Sequence, residues 1–309
     1  MGAIVVVGSI NMDLVVNVAA MPKPGETVSS NSFAQQPGGK GANQAVTCAK
    51  LGAQTTMIGR LGKDIFGGAL YQHMSAAGVN MGCIVNSETA PTGVALITVD
   101  ATGENSIVLV PGANAEVSEG DILRNRSIIE SANVLLAQFE IPLLTVESAF
   151  ELARSKGVTT ILNPAPAYEV SDSLLRNTSI ITPNEHELGI VAGVATADLN
   201  GIRKAAAVLL ARGVGAVVVT LGAEGSLAFT RETEIAQKAY PNKAVDTTAA
   251  GDSFTGALAV ALTEGKELAE ALDFASRVAS LTITKPGAQN SLPARAEVEE
   301  FIRSGKLST

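Results

Sequence analysis

The chain has 309 residues, with 22 Lys and Arg against 30 Asp and Glu, for a formal net charge of −8. Hydrophobic residues at 46% and charged residues at 17% exclude a disordered or collagen-like chain, and the acidic balance argues against general nucleic-acid binding. Two cysteines, Cys48 and Cys83, make neither a disulfide framework nor a zinc-ligand cluster, and a chain this long buries enough surface to need neither.

Residues 4–7 are a continuous apolar run ending at Gly8, the pattern of a buried strand. Residues 42–51 read as a helix, 55–58 as a short strand, and 66–77 as a helix closed by Gly78. A buried strand follows over 134–139, then a helix over 144–156 closed by Gly157 and a strand over 159–162. The helix over 202–211, closed by Gly213, leads to a strand over 216–221. This repeated order predicts an α/β fold, a three-layer α/β/α sandwich with a mostly parallel central sheet. Runs 14–18 and 27–33 flank a Met-Pro-Lys-Pro-Gly turn, and runs 93–99 and 105–110 flank Asp100-Ala-Thr-Gly-Glu104, a hairpin pattern. Those four runs fit a small accessory sheet or ordinary edge strands equally well. A second hairpin, 226–230 with 234–238, reads as an edge of the main sheet. With no repeat, low-complexity segment or linker, the expectation is one domain over 1–309 carrying an insertion in two pieces, about 12–38 and 91–112. The start lacks a basic n-region, Val6 stands where myristoylation wants Ser or Thr, and the apolar stretch 205–220 is broken by Arg212 and two glycines. The expectation is a soluble cytoplasmic protein with no membrane or nucleic-acid partner.

Several chemistries lack their residues. Gly39-Lys40 is followed by Gly41, so no phosphate-binding P-loop is present; no Gly-x-Gly-x-x-Gly follows the first strand, and no Gly-x-Ser-x-Gly elbow occurs. Two isolated histidines, His73 and His186, make a triad or a zinc hydrolase a poor fit.

The informative stretch is Asp246-Thr-Thr-Ala-Ala-Gly-Asp252. Behind it Phe254, Ala257, Leu258, Ala261 and Leu262 follow helical spacing. Free backbone N–H groups at such a helix start favour an anion, and Gly251 has no side chain to block its approach. Asp252 is placed to accept a proton from a substrate hydroxyl, or simply to cap the helix; spacing does not separate the two. Asn11 and Asp13, two apart on an extended segment, share a side and suit adjacent hydroxyls, or form a polar turn. Gly38, Gly39 and Gly41 let backbone approach a ligand or make a plain loop into the helix that carries Asn43. Glu140, Asn163 and Asn184 end strands, the edge where open parallel sheets bind ligands.

Together these segments carry a family resemblance. Asp246-Thr-Thr-Ala-Ala-Gly-Asp252 resembles the C-terminal signature of the ribokinase-like sugar kinases, also called the phosphofructokinase-B family. Its members phosphorylate sugar hydroxyls or related alcohols with ATP. Gly8-Ser-Ile-Asn11-Met-Asp13 resembles the family's sugar-gripping segment, and Pro37-Gly-Gly39-Lys40-Gly41-Ala-Asn43-Gln-Ala45 resembles its N-terminal signature. Thr182-Pro-Asn184-Glu-His-Glu187 resembles its Asn-x-x-Glu motif, associated with magnesium and phosphate. The four occur in the family's order and span nearly the whole chain.

The resemblance implies a small β-sheet lid and ATP-dependent phosphorylation of the primary hydroxyl of D-ribose, giving D-ribose 5-phosphate. It implies sugar contacts from Asn11, Asp13, Gly39, Lys40, Gly41, Asn43, Glu140 and Asp252, with Asp252 as general base and an anion hole at Ala249, Ala250 and Gly251. ATP contacts would come from Asn184, Thr220, Gly222, Gly225, Gly251, Asp252 and Ser276; the last stands where members often carry Asn or His. Glu187 would hold Mg2+ through water. A monovalent cation, expected to be K+, would sit at Asp246, Thr248, Thr282, Lys285 (through its carbonyl only), Gly287 and Ser291. The lid strands would pair two subunits into a homodimer. The alternatives are a family kinase for deoxyribose, a ketohexose or a nucleoside, and a non-catalytic sugar sensor on the same scaffold.

Overall fold

The computed structural model describes residues 2–305; Met1 and residues 306–309, which the expected domain includes, lie outside the described residues. The strands are β1 (Ala3–Val7), β2 (Asn11–Asn17), β3 (Ser32–Gly38), β4 (Gln54–Gly62), β5 (Asn80–Ser87), β6 (Gly93–Val99) and β7 (Asn105–Val110) in the first part of the chain. They continue with β8 (Val134–Gln138), β9 (Thr159–Asn163), β10 (Ile180–Ile181), β11 (Ala216–Thr220), β12 (Ser226–Phe229) and β13 (Glu234–Gln237). The helices are α1 (Lys40–Lys50), α2 (Ile65–Ala76), α3 (Glu119–Arg124), α4 (Arg126–Glu130), α5 (Leu143–Ser155) and α6 (Asp172–Arg176), then α7 (Glu185–Ala192), α8 (Leu199–Ala211), α9 (Ala250–Thr263), α10 (Leu268–Thr282) and α11 (Arg295–Ser304). Among the described residues no helix is long and apolar enough to cross a membrane.

The large sheet runs β13-β12-β11-β10-β9-β8-β1-β4-β5 and is parallel except where β12 pairs with β11 and β13. Its central strands read as unbroken apolar runs because both faces are covered. Ile4, Val6, Leu136 and Ile161 pack with Val46, Leu258 and Val278 of α1, α9 and α10 on one side. Val5, Val7, Leu135 and Leu162 pack with Phe150 and Leu209 of α5 and α8 on the other. The result is the expected three-layer arrangement.

The smaller sheet runs β3-β2-β6-β7. The accessory-sheet reading of the four early runs therefore holds, with one correction. The strand expected over 27–33 lies at Ser32–Gly38. Ser30 explains the shift: its hydroxyl donates to the carbonyl of Asn17 (3.1 Å) or of Ser32 (2.6 Å), turning the chain so that pairing begins only after it. The register is then Asn17↔Ser32 through Asn11↔Gly38. Large apolar side chains of this sheet, Phe33, Leu96, Ile107, Val108 and Val110, are exposed.

The topology fixes where a ligand can sit. β1 pairs with β8 on one side and β4 on the other, so the strand order reverses there, and in open parallel sheets ligands bind beyond the carboxyl ends of the strands at such a point. From that end the backbone leaves the large sheet through Gly8–Ile10 and enters the small one at Asn11. It returns at Gly38–Lys40 straight into α1.

Candidate active site

The site is built from the start of α9. Ala249 precedes it with φ 60 and ψ 10, the only non-glycine residue with positive φ among the described residues. A left-handed alanine costs about 1 kcal/mol, and what it gains here is a sharp turn into the helix. No side chain caps α9, so Asp252 is not the cap. The amide of Ala250 donates to the carbonyl of Thr247 at 3.2 Å, so that member of the expected anion hole is already engaged. The amides of Gly251 and Asp252 have no partner among the described residues, and a Cβ on Gly251 would meet nothing within 4 Å. Two unpartnered donors at a helix start suit a phosphoryl group.

The Asp252 carboxylate is buried. Asn43 Nδ2 donates to its Oδ2 at 2.9 Å, and Gln44 Nε2 donates to its Oδ1 at 3.2 Å. Both donors sit within the first five residues of α1. They are delivered there by Gly39, whose φ is 90 and where a Cβ would lie 2.7 Å from the Asn11 amide nitrogen. Asn43 Oδ1 is buried with no partner among the described residues.

Beside this pair lies a second polar cluster. Glu140 Oε2 accepts from Ser9 Oγ (2.6 Å), Asn11 Nδ2 (3.3 Å) and the Lys40 amide (3.3 Å). Asn11 Oδ1 accepts from Asn114 Nδ2 at 2.7 Å, and Asn114 Oδ1 accepts from the Ile10 amide at 2.9 Å. Asp13 is buried two residues along β2. Burial, then Glu140 and Asp252, pushes its pKa up to about 7 against the opposing pull of Lys40. Burial alone would lower the Lys40 ammonium, but Asp252, Glu140, Glu187 and Asp13 outweigh it and raise the value. Burial, with Asp252 adding, holds Glu187 above the usual carboxylate range against its Asn184 bond and Lys40. One ammonium thus stands among four carboxylates, and the surplus negative charge suits a bound cation.

Asn184 and Glu187 cap α7 reciprocally. Asn184 Oδ1 accepts from the Glu187 amide at 2.8 Å, and Glu187 Oε2 accepts from the Asn184 amide at 2.9 Å. Asn184 also lies in a parallel bridge with Thr220. The turn after Thr220 is closed by the Leu221 amide donating to Gly225 at 2.8 Å and contains Gly222 at φ 56. Ser276, in α10, is buried, and its Oγ has no partner among the described residues.

The segments expected to hold the monovalent cation do meet. Asp246 Oδ2 accepts from the Gly287 amide at 2.8 Å and Oδ1 from the Thr248 amide at 2.9 Å. Burial opposes it, but these bonds hold the Asp246 carboxyl below its ordinary value. The hydroxyls of Thr282 and Ser291 point elsewhere, donating to the carbonyls of Val278 (3.0 Å) and Ala288 (2.7 Å). Both hydroxyls act there as donors, which leaves the lone pairs of each oxygen unspent. The Lys285 ammonium pairs with Glu297 at 2.5 Å, which leaves only its carbonyl.

Ser9, Gln44, Asn114 and Gln138 take part in these networks without having been assigned a role from sequence. Gln138 carried a usable signal: a polar residue inside the apolar run 134–139. Asn114 carried none, since only folding brings it to Ile10 and Asn11.

Residues 1–295 match the family model described as pfkB family carbohydrate kinase. A ribokinase of Haemophilus influenzae is 42% identical over 297 residues, covering 96% of this chain and 97% of that protein. A bifunctional ribokinase/ribose-5-phosphate isomerase A of Fructilactobacillus sanfranciscensis is 41% identical over 100% of this chain, which spans 57% of that longer protein. Among solved structures, Arabidopsis thaliana ribokinase complexed with ribose and ATP superimposes with a TM-score of 0.91 at 36% identity, covering 98% of this chain and 99% of that one.

Proposed function

Since the chain belongs to the pfkB family of carbohydrate kinases, we propose that it transfers the γ-phosphoryl group of ATP to the primary hydroxyl of D-ribose, giving D-ribose 5-phosphate. The observation that carries this reading is the position of Asp252. Its buried carboxylate accepts from Asn43 at 2.9 Å, and its own amide, with that of Gly251, has no partner among the described residues at the start of α9. The ribokinases above, one holding ribose and ATP, support the choice of substrates.

Asn11, Asp13, Asn43 and Glu140, with the backbone of Gly39 to Gly41, orient the sugar. The unpartnered Oδ1 of Asn43 accepts from a sugar hydroxyl. Asp252 accepts the primary-hydroxyl proton as that oxygen attacks phosphorus, and the amides of Gly251 and Asp252 hold the charge that develops on the transferred group. Ala249 sets the turn that aims those amides. Asn184, Thr220, Gly222, Gly225 and Ser276 line the nucleotide's side, with the unpartnered Ser276 Oγ free to bond it.

The free oxygen of Glu187, beside the surplus negative charge, fits Mg2+ held through water. The described residues contain no cluster of three or more metal-binding side chains, and an ion that shares its shell with water and nucleotide phosphates needs none. Magnesium there would neutralise phosphate charge. Asp246 and the carbonyls around Gly287 fit a monovalent cation, which we take to be K+. The four-stranded sheet serves as a lid, and its exposed apolar side chains pair two subunits in a cytoplasmic homodimer.

The test is ADP release from ATP and magnesium over a panel of ribose, deoxyribose, fructose, fructose 6-phosphate and adenosine, with and without potassium. Ribose-dependent turnover raised by potassium is expected. Preference for another sugar would overturn the substrate assignment, and ribose binding without turnover on any sugar would replace the kinase by a sensor.

A further inference from the structure

Beneath the base lies a seam of buried amides that an ordinary core would fill with leucine. Gln44 and Gln138 are both 0% exposed. Gln138 Nε2 donates to Gln44 Oε1 at 2.6 Å. Gln44 Nε2 then lies 3.2 Å from Asp252 Oδ1 and 3.1 Å from Asn163 Oδ1, and Asn163 Nδ2 donates to the Thr182 carbonyl at 3.1 Å. The direction of the line is fixed from its far end. A carbonyl only accepts, so Asn163 turns its NH2 to Thr182 and its oxygen to Gln44. Gln44 must therefore present its NH2 to Asn163 and to the base, and its oxygen to Gln138. Burying amides is costly, and Gln138 Oε1 has no partner among the described residues. An arrangement that gives up stability in this way needs a purpose other than packing.

Resting on the kinase reading above, we infer that Gln138 and Gln44 are positioning residues for the base: they anchor Oδ1 of Asp252 in the seam and leave Oδ2, beside Asn43, to take the sugar proton. Neither glutamine touches substrate. Gln44 acts on the base directly, and Gln138 acts only through Gln44. Without this line the carboxylate is held from one side only, by Asn43, and can rotate about its Cβ–Cγ bond. Misplacement of a reacting group on the scale of 1 Å costs about 100-fold in rate.

The experiment uses Gln44→Met, Gln138→Met and the double variant, all similar in length and volume to the native side chains. Steady-state kinetics are run on whichever panel sugar the unaltered chain phosphorylates fastest, sugar affinity is read by calorimetry, and thermal midpoints are recorded. We expect kcat to fall about 10- to 100-fold in Gln44→Met and less in Gln138→Met, with sugar Kd within about twofold throughout. The double variant should be no slower than Gln44→Met, since Gln138 has no other route to the base. Its thermal midpoint should lie at or above that of Gln44→Met, because Gln138 is then no longer a buried amide that has lost its acceptor. A structural role alone would lower the midpoint and leave kcat per folded molecule intact. Unchanged kcat in Gln44→Met, or losses that multiply in the double variant, would overturn the inference while the kinase reading stood. An unaltered chain inactive on every sugar would remove both, there being no base to position.

Discussion

Asp13→Asn should make the free protein more stable at alkaline pH while impairing its use of sugar. The Asp13 carboxyl is pushed from 3.8 up to about 7, first by burial and then by Glu140 and Asp252. A folded value above the unfolded one means that the native state binds the proton more tightly. The group's stability contribution is then fully present below pH about 4 and is lost as pH rises through 7. Three units at about 1.4 kcal/mol each set a ceiling of about 4 kcal/mol for the penalty above pH 8. Loss of the attraction between Asp13 and Lys40, and the buried amide that replaces the carboxylate, reduce the gain to about 1–3 kcal/mol. Urea unfolding of both proteins without ligand, at pH 5.0 and pH 8.5, measures it. The advantage of the variant should be larger at pH 8.5 by at least about 1 kcal/mol. The same variant should raise the KM for ribose about 10- to 100-fold, the worth of a hydrogen bond to a charged acceptor. A variant less stable than the parent at both pH values, or an advantage that does not grow with pH, would refute the reasoning.

Three further outcomes follow from the same site. Asp252→Asn should retain the fold and ribose binding by calorimetry but lose most turnover; near-normal kcat would remove the base assignment. Gly251→Ala places its methyl in open space in the free protein, so its melting temperature should stay level or rise slightly. Its kcat should nevertheless fall at least about tenfold, because the methyl occupies the approach to the anion hole. Gly225→Ala should lose about 2–4 kcal/mol in denaturant titration, since its φ is 104 and the new Cβ would lie 2.1 Å from the Gln237 carbonyl; unaltered stability would mean that the turn can shift freely.

Long periodic segments made the large sheet legible from sequence. The run 134–139 and the helix closed by Gly157 needed only apolar patterning and a C-cap glycine to be recognised. β10, just Ile180–Ile181, is too short to show any period, and α6 gives a single turn. The strand expected over 27–33 was misplaced because its register depends on a distant hydrogen-bonded partner, Asn11–Asn17, rather than on its own composition. The candidate site divides in the same way. Asp252, Asn43 and Glu140 stood out because glycine-rich loops and strand ends advertise themselves. Asn114 and Gln138 act through neighbours 103 and 94 residues away in sequence, and no local pattern marks such a pairing. The service of Asn184 and Glu187 as a reciprocal helix cap was equally hidden, since the same two residue types satisfy a cap and an ion.

The path of the backbone between the two sheets carries a mechanical consequence. Two of its crossings, Gly8–Ile10 and Gly38–Lys40, adjoin or contain the residues read as gripping the sugar, and Ser9 and the Lys40 amide both converge on Glu140. Hinge and grip are therefore one set of atoms. Any rotation of the small sheet relative to the large one must be taken up by torsions beside Asn11 and Gly39, so the sugar itself would act as the wedge that sets the angle. In such a joint, tightening the hold on a substrate and stiffening the motion that encloses it are a single change, and neither can be tuned without the other.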